Sequence, residues 1–348
     1  MAKSECGKVF RPDPTAPRIV RLVPGIALCL LIAGVSFAIG TAAPVVGSAI
    51  PAIAIGVAIA AIRRPGGLAQ PGIAFSGKWL LQIAIVLIGA HLSLQDVVAV
   101  GAESLPVMLS TLTVCLLAAW AVGRWMRVDG RLRTLIGVGT GICGASAIAA
   151  VAPVIAATSG EIAYAVSTIF VFNIAAAVAF PLLGHALGLD AHTFGLLAGT
   201  AINDTSSVVA AATTFGAGAL GFAVVVKLVR TLMIVPIAVG LALRRPRENG
   251  PGLLRRPWRI VTLVPWFIVG FTLMVLANSA GLISDAAHTV MAVASALLIA
   301  AALAGIGLSI DLVAIRRAGW RPLALGGILS LLVTATALGA LALTGGLG

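Results

Sequence analysis

Eleven apolar runs follow one another with only short connections, at roughly 19–40, 44–62, 79–100, 105–123, 134–157, 162–184, 193–214, 217–243, 260–282, 286–308 and 322–345. Each is near the ~20 residues that a helix needs to cross a bilayer core. In lipid, backbone N–H and C=O groups must be satisfied inside the protein, so such runs form helices. The reading is an all-α membrane protein of about 11 transmembrane helices: a cytoplasmic N-terminal segment at 1–18, then a single polytopic transport domain at 19–345. Composition agrees, with 60% hydrophobic and 10% charged residues and a mean hydropathy of +1.13 over 348 residues, which excludes an ordinary soluble domain.

A formal charge of +12 could point to nucleic acid, but nearly every Lys and Arg lies between apolar runs, so the charge is a topology signal and no nucleic-acid partner is expected. With the N-terminus inside, Arg18, Arg21, Lys78, Arg124 to Arg133, Arg244 to Arg259 and Arg316 to Arg321 all fall on the cytoplasmic side. Asp96, Glu103, Glu161 and Asp285 fall on the other, where the C-terminus also lies. The exceptions are Lys227 and Arg230, which sit within an apolar run. Cys6, Cys29, Cys115 and Cys143 have no CxxC spacing, so neither a disulfide framework nor a metal site is expected.

The chain echoes itself twice. Residues 89–106 and 305–322 share six identities at an offset of 216 and pass to opposite sides of the membrane, as inverted repeats do. GTGICGASAIAA (139–150) and GTAINDTSSVVA (199–210) match at five of twelve positions, each inside an apolar run rich in small residues. Glycines and hydroxyls let a membrane helix unwind where protein or water can satisfy the backbone, and paired interruptions point to a transporter's substrate site. Counted as full spans, the two runs point the same way, which an inverted pair should not. One of them is then re-entrant, or the repeats are not in simple order.

The second segment holds Asn203, Asp204, Thr205, Ser206 and Ser207 in a row. Along helices beginning near Phe194 and near 217, Asp204, Lys227 and Arg230 share the depth of the midplane of a ~30 Å core. Lone charges there are costly, so mutual pairing or a polar cavity is expected. Lys227 and Arg230, spaced i, i+3, can offer two donors to one anion or to Asp204. The blander alternative is an ion-pair cluster that only locks helices together. Cys143, opposite Asn203 in the echo, reads first as packing, His91 and His288 as interfacial, and His185 and His192 as loop residues.

On GTGICGASAIAA, AGTAINDTSSVVAA with the following VVKLVRTLMIVP (225–236), and IGAHLSLQDV (88–97), the chain resembles the sulfate exporter family of YeiH-type bacterial inner-membrane proteins. The resemblance covers essentially the whole chain and implies a secondary transporter of the bacterial inner membrane. Many such proteins carry His-Glu where this chain has Asn203-Asp204, so the carboxylate position is kept and a titratable histidine is lost. More distantly, the arrangement at 84–157 resembles the bile-acid sodium symporter type of fold, which implies two helical bundles that move against each other.

The expectation is an exporter of a small anion, sulfate or a sulfonate-related ion, coupled to H+ or Na+, with no enzymatic activity and no bound cofactor. Substrate-binding candidates are Lys227, Arg230, Asn203, Thr205, Ser206, Ser207, Gly141, Cys143, Gly144 and Ser146, and Asp204 is the coupling-ion candidate. Partners would be the anion, the bilayer and a second copy of the chain. A cation/proton antiporter and a passive anion channel are the competing readings.

Overall fold

The computed structural model describes residues 18–42, 48–62, 65–216, 218–243, 264–309 and 320–343. The N-terminal segment 1–17, the basic stretch 244–259, Arg316 and Arg317, the later half of the 305–322 echo and the C-terminal residues lie outside the described residues. Among the described residues the chain is helical throughout: α1 (Arg18–Ala42), α2 (Ala49–Ile62), α3 (Gln70–Phe75), a π turn (Ser76–Leu80), α4 (Leu81–Ile88) and α5 (Leu94–Trp125). Four short helices and one long one follow: α6 (Gly130–Gly141), α7 (Ala145–Val151), α8 (Ser159–Ala186), α9 (Ala191–Ala201) and α10 (Thr205–Phe215). The rest are α11 (Ala219–Leu232), α12 (Ile234–Leu243), α13 (Trp266–Ser279), α14 (Asp285–Leu308) and α15 (Trp320–Leu343).

These helices form two bundles. The first packs α1, α2 and α3–α4 around α14, with α13 against α4. Its helices approach closely through glycines: a Cβ on Gly56 would lie 2.7 Å from the Ala304 carbonyl oxygen, and one on Gly25 would lie 2.1 Å from that of Ala69. Small residues at such crossings are how helices associate in lipid, where no hydrophobic drive distinguishes neighbour from solvent. The second bundle packs α5, α6, α8, α9, α11 and α15 around the short helices. Contact between the bundles is narrow, made mainly where α10 meets α2 and α14 and where α13 meets α5.

Among the described residues, seven helical segments are long and apolar enough to cross a membrane, and α2 and α13 are shorter apolar helices. The two apolar runs at 134–157 and 193–214, expected as spans, are instead hairpins. Phe194 near the start of α9 stacks on Phe215 at the end of α10 with ring centroids 3.8 Å apart; a continuous helix would separate them by about 30 Å. Both rings press on Gly184, where a Cβ would be 2.4 Å from Phe194 and 2.8 Å from Phe215. The other run turns back in the same way. A Cβ on Gly139 in α6 would meet Ile148 of α7 at 3.0 Å and Ile169 of α8 at 2.0 Å, and the Asp129 carboxyl before α6 lies beside that of Glu161 at the start of α8.

The topology follows. α5 ends, and α6, α8 and α15 begin, on one face: Gly123 lies against Arg133 and Leu325, and Thr168 against Gly326. This face carries Arg124, Arg131, Arg133 and Arg321 and is called the basic face. Hairpin α6–α7 enters from it and α8 then crosses to the other face, so Glu161 belongs to the basic face with Asp129, not opposite it as the run-by-run count implied. Past α8, Gly188 takes a positive φ of 64°, and Leu189 and Gly188 donate to the carbonyls of Gly184 and His185, closing the helix and turning the chain back. Hairpin α9–α10 therefore enters from the opposite face. From there α11 runs parallel to α9, Gly195 lying against Phe222 and Gly199 against Val226.

The orientation puzzle of the 139–150 and 199–210 echo is thereby resolved. Both segments are re-entrant, they enter from opposite faces, and their breaks fall at the same offset of 60: α6 and α9 end at Gly141 and Ala201, and α7 and α10 begin at Ala145 and Thr205. Each hairpin opens on an aspartate cap. Asp129 accepts from the backbone N–H groups of Arg131 at 2.8 Å and Leu132 at 3.4 Å, and Asp190 accepts from that of Thr193 at 2.8 Å. The N–H of Arg131 holds the Asp129 carboxyl below the usual carboxylate range, and the hydroxyl and N–H of Thr193 do the same for Asp190.

Candidate functional site

The two hairpin tips meet inside the second bundle. A helix that stops there leaves carbonyls without intrahelical partners and the negative end of its dipole in an apolar medium. Lys227 and Arg230, on one face of α11 and fully buried at 0% exposure, answer both needs. Lys227 Nζ donates to the Ile142 carbonyl at 2.7 Å, to that of Ile202 at 2.9 Å and to that of Asn203. Arg230 donates through Nε to Gly141 at 2.8 Å, through one terminal nitrogen to Thr140 at 2.8 Å and through the other to Ile202 at 3.2 Å. The remaining carbonyls at the breaks are taken by the backbone, Ile142 and Gly144 donating to Val138 and Gly139, and Ile202 to Ala198.

The i, i+3 spacing sets the two cations on one helix face, and the structure gives each a different partner from the one expected. All three N–H bonds of the Lys227 ammonium and three of the five of the Arg230 guanidinium end on backbone carbonyls of both hairpins. None of these six bonds goes to Asp204. What sequence reasoning missed is the acceptor set, the main-chain oxygens of Thr140, Gly141, Ile142, Ile202 and Asn203, because main-chain acceptors carry no residue signature.

Asp204 serves the other pole. It is the N-cap of α10, its carboxylate accepting from the Ser206 backbone N–H at 3.0 Å and from the Ser206 hydroxyl. It also faces the start of α7, where a Cβ on Gly144 would lie 3.3 Å from Asp204 Cβ and 3.4 Å from its Oδ1. A single half-buried carboxylate therefore stands at the positive ends of two half-helices, while two cations stand at the negative ends of their partners.

Gly144 has φ of 69°, a conformation that side chains resist. Gly144→Ala should cost about 1–3 kcal/mol of local strain and displace Asp204. The melting temperature should fall, while Gly34→Ala in α1, where a Cβ meets nothing within 4 Å, should be neutral. Melting of the two variants in parallel checks this, and equal tolerance would refute the tight contact between tips.

The other candidates fall around this centre. Cys143 is buried in the first tip; Asn203 is 3% exposed, and its side-chain Oδ1 has no partner. Thr140 Oγ1, and Asn173 Oδ1 on α8, are buried and equally unpartnered. Thr205 is half-buried, and Ser206 and Ser207 are buried and line a cavity of about 410 Å³ between the bundles, together with residues of α2, α8 and α14. Ser146, the counterpart of Ser206 in the first hairpin, is exposed, as are Ala145, Ala149 and Pro153. The structure therefore gathers Lys227, Arg230, Gly141, Cys143, Gly144, Asn203 and Asp204 at the meeting tips and sets Ser206 and Ser207 on the cavity. The histidines stand apart: His91 packs at a tilt against His288 with centroids 5.3 Å apart, while His185 and His192, expected in loops, lie at the end of α8, stacked on Phe215 at 4.5 Å, and at the start of α9, paired with Glu103 at 3.2 Å.

A family model described as conserved hypothetical protein 698 matches residues 24–326. A UPF0324 membrane protein of Streptococcus pneumoniae serotype 4 is 42% identical over 328 residues, 92% of this chain and 97% of that one. A UPF0324 membrane protein of Streptococcus pyogenes serotype M3 is 40% identical over 327 residues, covering 92% of this chain and 96% of its own length. That of Streptococcus mutans is 37% identical over 325 residues, 90% of this chain and 95% of that one. With both hairpins inside the matched region, the chain belongs to the conserved hypothetical protein 698 family, whose relatives are named UPF0324 membrane proteins.

Proposed function

We propose that the chain is a secondary transporter of the bacterial inner membrane that moves a small anion, sulfate or a sulfonate-related ion, by alternating access coupled to H+ or Na+. The observation that carries this reading is the pair of re-entrant hairpins, inverted in the membrane, whose tips meet beside one carboxylate inside the second of two loosely joined bundles, with α10 reaching the first. Irregular backbone at that depth is tolerated only around a cavity or within protein, and it marks solute sites in transporters. Asp204 is the coupling group: protonated, it would loosen its hold on the N-terminus of α10 and leave those N–H groups to a solute anion. Lys227 and Arg230 act through the backbone, holding the tips in a shape that leaves both half-helix N-termini facing one point.

The hairpins differ in a way that alternating access requires. α10 is packed against α2 and α14, whereas the equivalent face of α7 is exposed from Ser146 at the tip to Pro153 near the basic face. Lipid-facing surface in this chain carries large side chains, such as Leu117 and Trp120 on α5 or Leu182 on α8. The α7 stripe carries only Ala, Ser and Pro. By the positive-inside rule the basic face is cytoplasmic, so this conformation is the inward-open one.

In proteoliposomes of known orientation, Ser146→Cys should react with a membrane-impermeant thiol reagent from the basic face and be protected when a solute gradient drives the protein the other way, with Ser206→Cys changing in the opposite sense. Cysteines reached from both faces at once would favour the passive channel. Flux of radiolabelled anions that ignores both pH and Na+ gradients would remove the coupled reading.

A further inference from the structure

The cavity between the bundles narrows the chemistry of the solute, given the transporter reading above. Ile50, Ile53 and Val57 of α2, Ile174 of α8, and Leu303 and Ile306 of α14 form most of its wall, and Ser206, Ser207 and Thr214, all on α10, are its hydrogen-bonding side chains. Among the described residues no Lys, Arg or His lines it. The two cations at the tips are fully buried, with their bonds directed to main-chain carbonyls. An inorganic sulfate ion carries two charges and a tightly held water shell, and three hydroxyls cannot replace that shell in so apolar a space.

What the site does offer an anion is single and local. Ser206, in the first turn of α10, lines the cavity, and in this structure one carboxylate, that of Asp204, already occupies its N–H and hydroxyl. A charge of one on a compact oxyanion is therefore what the position accepts, and the wall beyond it fits hydrocarbon. We propose that the solute is an amphipathic organic monoanion, an alkanesulfonate or alkanecarboxylate. Its head replaces Asp204 at the α10 N-terminus when Asp204 is protonated, and its chain lies along the cavity against α2 and α14. Inorganic sulfate is not a substrate.

The test is a homologous series. Straight-chain sulfonates and carboxylates from one to eight carbons, the n-alkanols of the same lengths, and sulfate are titrated onto the purified protein in a non-ionic detergent, with thermal stabilisation as the readout. The same compounds then compete for flux in proteoliposomes. Affinity should rise about fourfold per methylene, equivalent to ~0.8 kcal/mol, until the chain fills the cavity, and sulfate should neither stabilise nor compete. Ala210→Phe, which projects into the cavity from α10, should flatten the series, and Ala54→Phe on α2 does the same from the other bundle should the first variant fail to fold.

Saturable, gradient-driven sulfate flux would overturn the proposal and leave the transporter reading intact. A steep chain-length series in binding with no flux of any compound would do the reverse. Alkanols that bind as well as the matching anions would mean that the head is not recognised and that the cavity takes an apolar occupant, such as a lipid chain, which also overturns it.

Discussion

Arg230→Met should cost the protein its assembled fold rather than a step of its transport cycle. The side chain fills its space without a donor, so the carbonyls of Gly141 and Thr140 lose their partners and Ile202 keeps only Lys227. Hydrogen bonds to a charged donor contribute about 1.5–3 kcal/mol each, so losing three removes a large part of the ~5–15 kcal/mol that holds a typical domain together. The lost charge also leaves the negative ends of α6 and α9 facing each other with one cation between them. We expect a steep fall in the yield of monodisperse protein and in its melting temperature. Lys227→Met should do the same, while Arg230→Lys, which keeps the charge and reaches fewer carbonyls, should lie between. If Arg230→Met melts like the parent and only loses flux, the guanidinium serves the solute, as the sequence suggested, and its carbonyl bonds are incidental.

How the sequence misleads at this point has a physical basis. Hydropathy measures how much apolar side chain enters the membrane and is blind to whether the backbone leaves by the far face. A hairpin of two 11-residue helices, α9 and α10, therefore looks like one span. Removing two spans leaves the parity of every later helix unchanged, so the distribution of Arg and Lys could not expose the error. Only α8 reverses, and between Glu161 and Phe222 the chain has no basic residue except histidine to report it. The legible signal was the offset of 60 with its misfit in direction, and both halves of that signal were sound. The i, i+3 spacing of Lys227 and Arg230 correctly set them on one face, but only a fold that brings two helix ends together supplies five carbonyls to meet them.

The apolar lining of the cavity was hidden for a different reason. Ile50, Ile53 and Val57 look like any lipid-facing helix, because a chain-binding wall and a lipid-binding wall use the same side chains. The hydroxyl run at 205–207 was legible because three adjacent hydroxyls follow Asn203 and Asp204 inside an apolar run.

Asp204→Asn should separate exchange from accumulation. The asparagine side chain still offers an oxygen to the Ser206 N–H, so the cap of α10, the contact with Gly144 and the fold should survive. What it cannot do is alternate. As a carboxylate, Asp204 holds the positive end of α10 against an incoming anion; protonated, it gives up that charge, and the solute head can take its place at the same N–H groups. Proton and anion then bind together or leave together, which is the coupling. Locked in the neutral form, the variant should bind the solute at high pH as well as at low pH and exchange labelled for unlabelled solute at both, but a pH gradient should no longer drive accumulation. Parent and variant reconstituted side by side, with exchange and pH-driven uptake measured on the same vesicles, separate the possibilities. Loss of both fluxes in a folded variant would mean that the carboxylate is needed for binding itself, as it would be in a cation/proton antiporter. Full pH-driven uptake would mean that Asp204 is a helix cap and nothing more, and that the coupling group lies elsewhere.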